Sequence, residues 1–161
     1  MDLFRRKELM DPAEIEALAG LRPLYDPVFA YLIEGAYKGR VDVYFAAVPF
    51  GLIRPFDPDY DPGKHPVGRA AIAEFVARWE KGDFAQSWVY QKGDEFVLSD
   101  DYIIWEAAKI GKPDFLPCWV LGKPSNTDLR DVQGPIDRRE VPTLLGISGD
   151  HSEERPPRKI K

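Results

Sequence analysis

The sequence has only one cysteine, Cys118, and only two histidines, His65 and His151, in 161 residues. A single cysteine excludes an internal disulfide, and these three side chains are too few for a structural zinc site, which takes four Cys or His ligands. No apolar run approaches the roughly 20 residues that cross a bilayer. Residues 1–17 lack the apolar core and the small-residue cleavage site of a signal peptide. We therefore expect a cytoplasmic protein that makes no membrane contact.

The sequence also has fewer positively charged residues than negatively charged ones. The 27 acidic residues outnumber the 22 lysines and arginines, which gives a formal net charge of −5. This balance lacks the basic footprint of an autonomous DNA-binding domain. The chain also lacks the glycine-rich phosphate loop, the dinucleotide-binding glycine pattern and the nucleophile elbow of serine hydrolases. These absences exclude the enzyme families that depend on those motifs.

What the sequence does contain is typical of one globular domain with many turns. Apolar residues make up 44% of the chain, and the 15 prolines and 13 glycines predict short elements. Asp11 before Pro12, and Asp26 before Pro27, each predict a capped helix that begins there. Because both helices are short, we expect residues 1–40 to form a helical extension packed on the core.

Residues 41–122 alternate between strand and helix patterns. A strand is predicted with Val41, Val43 and Phe45 facing inward, and a second strand is predicted over 48–53. Then follow a loop, an amphipathic helix, a hairpin, a helix and a strand, at residues 55–68, 68–82, 87–99, 102–111 and 115–122. The predicted fold class is α+β (mixed α/β), a small mixed sheet with helices packed on one face. Residues 123–161 are predicted to be an irregular, partly disordered C-terminal segment.

Three aspartates in the predicted loop have the alternating spacing of a calcium site. They are Asp57, Asp59 and Asp61. A calcium loop requires glycine where Pro62 stands and an acidic residue where Gly68 stands. We therefore interpret this stretch as a proline-stiffened loop and expect no metal there.

The pair Asp100–Asp101 stands directly before a predicted helix. One of the two can cap that helix, because an aspartate is favoured near the positive end of the helix dipole. Together with Glu106 they can instead form a paired-carboxylate site that acts in catalysis or holds a divalent ion. Cys118 lies in an apolar strand and is interpreted as a small core residue, since reactive thiols need an accessible, electropositive setting.

Five strings in residues 48–122 follow the order of a known family pattern. They are "VPFGLIRP", "AAIAEFVARWEKGDF", "WVYQKGDEFVLSDD", "YIIWEAAKIG" and "LPCWVLG". The family pattern has a strand with an I-x-P-like turn, an amphipathic helix, a hairpin ending in LxDG, a helix ending in EAAxxxG, and a closing strand. In this respect the chain resembles the ParB N-terminal / sulfiredoxin-like superfamily, also called ParB-like nuclease domains.

The resemblance does not extend to the residues that bind phosphate or act in catalysis in that family. Alignment on the string EAA places Asp101 at the family's glycine, Tyr102 and Ile103 at its two polar positions, and Ile104 at its arginine. The resemblance implies that this glycine lets a phosphate approach a helix N-terminus and that the arginine binds it. An aspartate about 4 Å from a phosphate repels it by about 1 to 4 kcal/mol, and Ile104 has no donor. A sulfiredoxin-like reaction would also need a cysteine near Tyr102, where none stands. We therefore expect no nucleotide cofactor.

The favoured hypothesis is a ParB/sulfiredoxin-like domain that has lost nucleotide binding and catalysis. It would act as a binding or interaction module whose partner is another protein. If their side chains are exposed, Tyr102, Ile103, Ile104 and Trp105 would form its docking patch.

Two alternatives remain open. The first is a diverged metal-dependent nuclease or other enzyme that uses Asp100 and Asp101, with Glu106 or the aspartate-rich loop. The second is a DNA-binding accessory protein, in which Arg138, Arg139 and the basic C-terminal tail contact phosphates.

Overall fold

The computed structural model describes residues 22–148. The helix predicted at residues 11–20 and the tail after residue 148 lie outside the described residues. In chain order the elements are α1 (Pro27–Tyr37), β1 (Val43–Pro49), β2 (Ile53–Pro55), α2 (Pro66–Glu80), β3 (Ser87–Lys92), β4 (Glu95–Leu98), α3 (Tyr102–Gly111), β5 (Phe115–Leu121), β6 (Arg130–Gln133) and α4 (Val141–Ser148). Short 3-10 turns lie at Phe50–Leu52 and Pro62–Lys64.

The six strands form one mixed sheet in the order β2-β4-β3-β5-β1-β6. The hairpin partners β3 and β4 are antiparallel, whereas β3 pairs with β5, and β2 with β4, in parallel. On the far side β1 runs antiparallel to both β5 and β6. Helices packed on a mixed sheet confirm the predicted α+β class.

Helices cover both faces of the sheet, so the prediction of one covered face is wrong. Ile72 and Trp79 of α2 and Ile104 of α3 pack on one face. Ala36 of α1 and two residues of α4 pack on the other.

Strand β1 lies between β5 and β6. From Tyr44 onward its residues alternate between buried and partly buried, and none is exposed, because residues of β1 belong to the core clusters on both faces. Val43 is fully buried and Tyr44 is 8% exposed, although the sequence pattern placed Tyr44 outward. The predicted second strand also differs. Val48 and Pro49 still belong to β1, and a 3-10 turn separates them from β2.

The segment after residue 122 is more ordered than predicted. It contains β6, which pairs with β1, and α4, whose Val141 and Leu145 are buried. The four residues of β6 are all exposed, so they carry no apolar alternation that could signal a strand. Pro142 stands at the second residue of α4, where the missing N–H is tolerated, although in the sequence it suggests a break.

Helix α1 begins as predicted at Asp26 and Pro27. One oxygen of the Asp26 carboxylate, Oδ1, accepts the backbone N–H of Val28 at 3.0 Å and that of Phe29 at 3.2 Å. Proline fits the first turn because its missing N–H has no partner there. This cap fixes the start of α1.

Candidate functional site

Asp101 joins the N-terminus of α3 to the first strand of the hairpin. It occupies the N-cap position of α3, as predicted for one of the two aspartates, but no first-turn amide donates to its side chain. Its Oδ2 instead accepts the backbone N–H of Trp88 at 2.8 Å. The carboxylate therefore fills the corner between α3 and β3, where the resemblance would place a phosphate. Asp100, the preceding residue, is exposed.

Tyr102 is the first residue of α3 and is only 3% exposed. Its hydroxyl accepts the backbone N–H of Asp57 at 2.8 Å, and its ring meets that of Tyr60 edge-on at 5.0 Å. Burial, with a further contribution from the nearby carboxylate of Asp57, raises the pKa of Tyr102 to about 12. Tyr102 therefore holds the proline-rich loop against α3.

The rest of the expected docking patch also belongs to the core. Ile104 is 7% exposed, and Ile103 and Trp105 are partly buried against the same core cluster. The Trp105 ring lies 4.9 Å from that of Phe50. The docking patch over residues 102–105 depended on exposed side chains, and this condition is not met, because Tyr102 and Ile104 are buried. Four consecutive large apolar residues do not reveal which sides of a helix are covered. Helix α3 packs against α2 and shares a core cluster with residues of the sheet.

The acidic residues of the predicted enzyme alternative serve other purposes. Glu106 pairs with Lys109 at 3.0 Å on the same helix. Asp57 accepts the backbone N–H of Leu24 at 2.9 Å, and Asp61 accepts that of Gly63 at 2.8 Å. Within residues 22–148, no three His, Cys, Asp or Glu side chains are grouped so that they could hold a metal ion. The convergence that the metal-dependent alternative requires is absent from this part of the chain.

Both arginines of the DNA-binding alternative are paired with aspartates. Arg138 lies 3.1 Å from the Asp42 carboxylate, and Arg139 lies 2.9 Å from that of Asp137. The Arg139 guanidinium lowers the pKa of Asp137 to about 2. These intramolecular partners reduce the positive charge that the two arginines offer to a phosphate.

Cys118 is a core residue, as predicted. It is fully buried, burial raises the pKa of its thiol, and its S–H donates to the carbonyl of Leu116 at 3.4 Å. Its neighbour on β3 is Ser87, which is also fully buried. The Ser87 hydroxyl makes no hydrogen bond within the described residues.

The core also contains a hydrogen-bonded polar group around Asp26, which the sequence analysis did not predict. The other Asp26 oxygen, Oδ2, accepts the hydroxyls of Tyr90 at 2.7 Å and Ser99 at 2.5 Å. Asp26 is 5% exposed, so these donors meet the carboxylate away from water. The Asp-Pro pair signalled only the cap, and no sequence signal connects it to residues on the hairpin.

One apolar surface surrounds the start of α1. It consists of Leu24, Tyr25, Val28 and Tyr31, which are 65%, 75%, 50% and 71% exposed. We call these four residues the α1 surface. A shallow pocket of about 440 Å³ lies beside it and reaches Ser99 and Asp100. The sequence analysis predicted only where α1 begins, and it did not identify these outward residues.

Comparison of the chain with protein-family models and with curated proteins gives no match. Among the helices of residues 22–148, none combines the length and the apolar character needed to cross a membrane.

Proposed function

We propose that this chain is a ParB/sulfiredoxin-like domain that no longer binds nucleotide and serves as an interaction module for another protein. The observation that carries this proposal is the hydrogen bond from the Trp88 N–H to the Asp101 carboxylate, 2.8 Å long, at the N-terminus of α3. An anion of the protein itself occupies the corner that an incoming phosphate would need.

The order of elements supports the family part of the proposal. From β1 to β5 the chain has a strand, a turn, the short strand β2, a helix, a hairpin, a helix and a strand. Apart from β2, this is the order that the resemblance of residues 48–122 implies.

The loss of nucleotide binding is supported by charge and by donor count. The Asp101 carboxylate would repel a phosphate at about 4 Å by about 1 to 4 kcal/mol. Ile104, at the family's arginine position, is 7% exposed and carries no hydrogen-bond donor. The Trp88 N–H, which could serve a ligand, is already bonded to Asp101.

The interaction role is supported by the α1 surface. Contiguous exposed apolar side chains are typical of protein-binding sites, and tyrosine is enriched among the residues that dominate binding energy. The partner that fits this chemistry is a protein with an apolar patch of its own.

Isothermal titration with CTP and ATP, in the presence of Mg²⁺, tests the lost site. We expect no binding heat for the wild-type chain, and micromolar binding of either nucleotide would overturn the proposal. The variant Asp101→Gly removes the carboxylate and releases the Trp88 N–H, so it should gain weak affinity for nucleotide phosphates. Asp59→Gly, a change at an exposed loop position, is the control and should gain none.

Comparative capture tests the interaction role. Proteins that bind through the α1 surface should be retained by the wild-type chain and lost with the double variant Tyr25→Glu, Tyr31→Glu. The control Val67→Glu adds the same charge at an 82% exposed position on α2 and should retain them. An identical set of captured proteins for all three chains would contradict this role.

A further inference from the structure

Helix α1 is apolar on almost every side. Glu34 is the only charged residue among its 11 residues, whereas the 15 residues of α2 include four. Phe29 and Ile33 pack on a core cluster that includes strand residues, whereas Val28 and Tyr31 are exposed. A surface helix normally carries charged or polar residues on its outer face, and a helix that is apolar all round is normally buried. The composition of α1 is therefore that of a helix with a second apolar contact in addition to the core.

The α1 surface is held in a fixed shape by hydrogen bonds close to its first residues. The backbone N–H of Leu24 donates to the buried Asp57 carboxylate at 2.9 Å. Two residues later, the Asp26 carboxylate accepts the hydroxyls of Tyr90 and Ser99. These bonds anchor the surface to the loop and to the hairpin. A surface that is already ordered loses less conformational entropy when it is covered.

The area of the α1 surface is sufficient for a small specific interface. A tyrosine side chain buries roughly 150 to 250 Å² in a full contact, and the four residues together expose roughly 500 Å². Pairing two such surfaces removes about 1,000 Å² from water, which is the lower limit for a specific protein–protein interface. Two of the four residues are tyrosines, which are enriched in interfaces, and charged residues are depleted from interface centres.

The chemistry of the α1 surface also suits contact with an identical surface. A surface that pairs with its own copy about a two-fold axis has to be complementary to itself. Copies of this chain repel one another at long range, because each has a net charge of −5. The α1 surface adds no repulsion at the contact, since none of its four residues is charged.

We propose that this chain forms a two-fold symmetric homodimer through the α1 surface. The four residues of that surface in one copy pack against the same four residues of the second copy. This inference rests on the proposed interaction role of the α1 surface and names its occupant. Because the interface is small, the dimer exchanges with the monomer, and we expect a dissociation constant of about 10 to 100 µM.

Analytical ultracentrifugation of the full-length chain between about 1 and 500 µM tests this dimer. We expect a reversible equilibrium between monomer and dimer for the wild-type chain. The double variant Tyr25→Glu, Tyr31→Glu should raise the dissociation constant at least about tenfold, because the contact would desolvate its carboxylates. The control Val67→Glu, Ile110→Glu adds the same two charges at positions that are 82% and 61% exposed. It should change the constant by less than about threefold, through long-range repulsion alone.

A mixture of oppositely charged variants tests whether the surface meets itself. The double variant Tyr25→Lys, Tyr31→Lys should also dimerise weakly by itself, because like charges would face one another across the two-fold axis. Mixed in equal amounts with Tyr25→Glu, Tyr31→Glu, it should associate at least about tenfold more tightly than either variant alone. This gain should decrease in about 1 M salt, which screens the new charge pairs.

Three results would overturn the proposal. The first is a wild-type chain that stays monomeric at every concentration, and the second is a dimer that both double glutamate variants weaken equally. The third is a mixture that associates no more tightly than its components. A monomeric chain that still captures other proteins through the α1 surface would overturn the dimer and leave the proposed function standing. A dimeric chain that binds CTP or ATP would instead support the dimer and overturn the lost-site proposal.

Discussion

The hydroxyl of Tyr90 donates a 2.7 Å hydrogen bond to the carboxylate of Asp26, although 64 residues separate the two in the sequence. The same carboxylate caps α1 through its other oxygen. One side chain therefore begins a helix and ties it to the central hairpin.

Asp26→Ala should lower the free energy of unfolding by about 2 to 4 kcal/mol, measured by urea denaturation. Loss of the cap costs about 1 kcal/mol, and buried hydroxyls left without an acceptor cost about 1 to 3 kcal/mol more. The control is Asp61→Ala, which removes an exposed cap from the short 3-10 turn and should cost less than about 1 kcal/mol. Equal losses in the two variants would contradict a role for Asp26 beyond capping.

The two halves of this role differ in how well the sequence predicts them. The cap follows from local chemistry, because aspartate before proline at the start of an apolar periodicity is a helix signal. The bonds to Tyr90 and Ser99 depend on which strand the helix packs against, and this is decided by the whole fold.

In the candidate site, too, some features follow from the local sequence and others depend on the whole fold. The positions of Asp101 and α3 follow from the sequence pattern, but the acceptor role of Asp101 toward Trp88 joins residues 13 apart and carries no local signal. Neither the burial of Ile104 nor the exposure of Tyr31 could be predicted from the sequence, because both residues lie in apolar stretches. Only tertiary packing determines which apolar residues are covered.

Substitution by alanine at the two buried serines of the hairpin should have different effects on the free energy of unfolding. Ser99 donates to the Asp26 carboxylate, whereas the Ser87 hydroxyl makes no hydrogen bond within residues 22–148. Ser99→Ala should therefore lower the free energy of unfolding by about 1.5 to 3 kcal/mol, as expected for a bond to a charged group. Ser87→Ala should be neutral or stabilising by up to about 1 kcal/mol, because it removes a buried polar atom that lacks a partner. Thermal melts of both variants measure this contrast, and a large loss for Ser87→Ala would argue against it.

Tyr102 should make the protein sensitive to alkaline pH. Its folded-state pKa is raised to about 12 from an ordinary value of 10.0. The stabilisation linked to its protonated hydroxyl is fully present below pH 10. Above pH 10 the unfolded chain loses this proton first, and so stability falls between pH 10 and pH 12. The total loss from this group is about 2 to 3 kcal/mol.

Urea denaturation between pH 8 and pH 12 separates this effect from those of other groups. Tyr102→Phe should show a shallower decline than the wild-type chain, after an initial loss of about 1 kcal/mol for the missing bond to the Asp57 N–H. The decline should not vanish, because burial also raises the pKa of Tyr90. Tyr31→Phe changes a 71% exposed tyrosine and should keep the full decline. A Tyr102→Phe profile as steep as that of Tyr31→Phe would refute the assignment.

Gly68 shows why the aspartate-rich loop cannot carry an acidic ligand at its end. A Cβ atom added at Gly68 would lie 1.8 Å from the carbonyl oxygen of Pro62 and 2.7 Å from the carbonyl carbon. Both are backbone atoms of the turn that packs on α2, so neither can rotate away. The close approach of α2 to this turn therefore requires glycine, and the residue that breaks the calcium pattern is a packing residue.

Gly68→Ala should consequently lower the free energy of unfolding by more than about 2 kcal/mol, because the backbone must shift to relieve the clash. Gly51→Ala is the matched control, since a Cβ atom there meets nothing within 4 Å. That substitution should be neutral or slightly stabilising, through the smaller entropy of the unfolded chain. Urea denaturation of the two variants measures the difference, and a Gly68→Ala chain as stable as Gly51→Ala would mean that α2 and the turn can move apart freely.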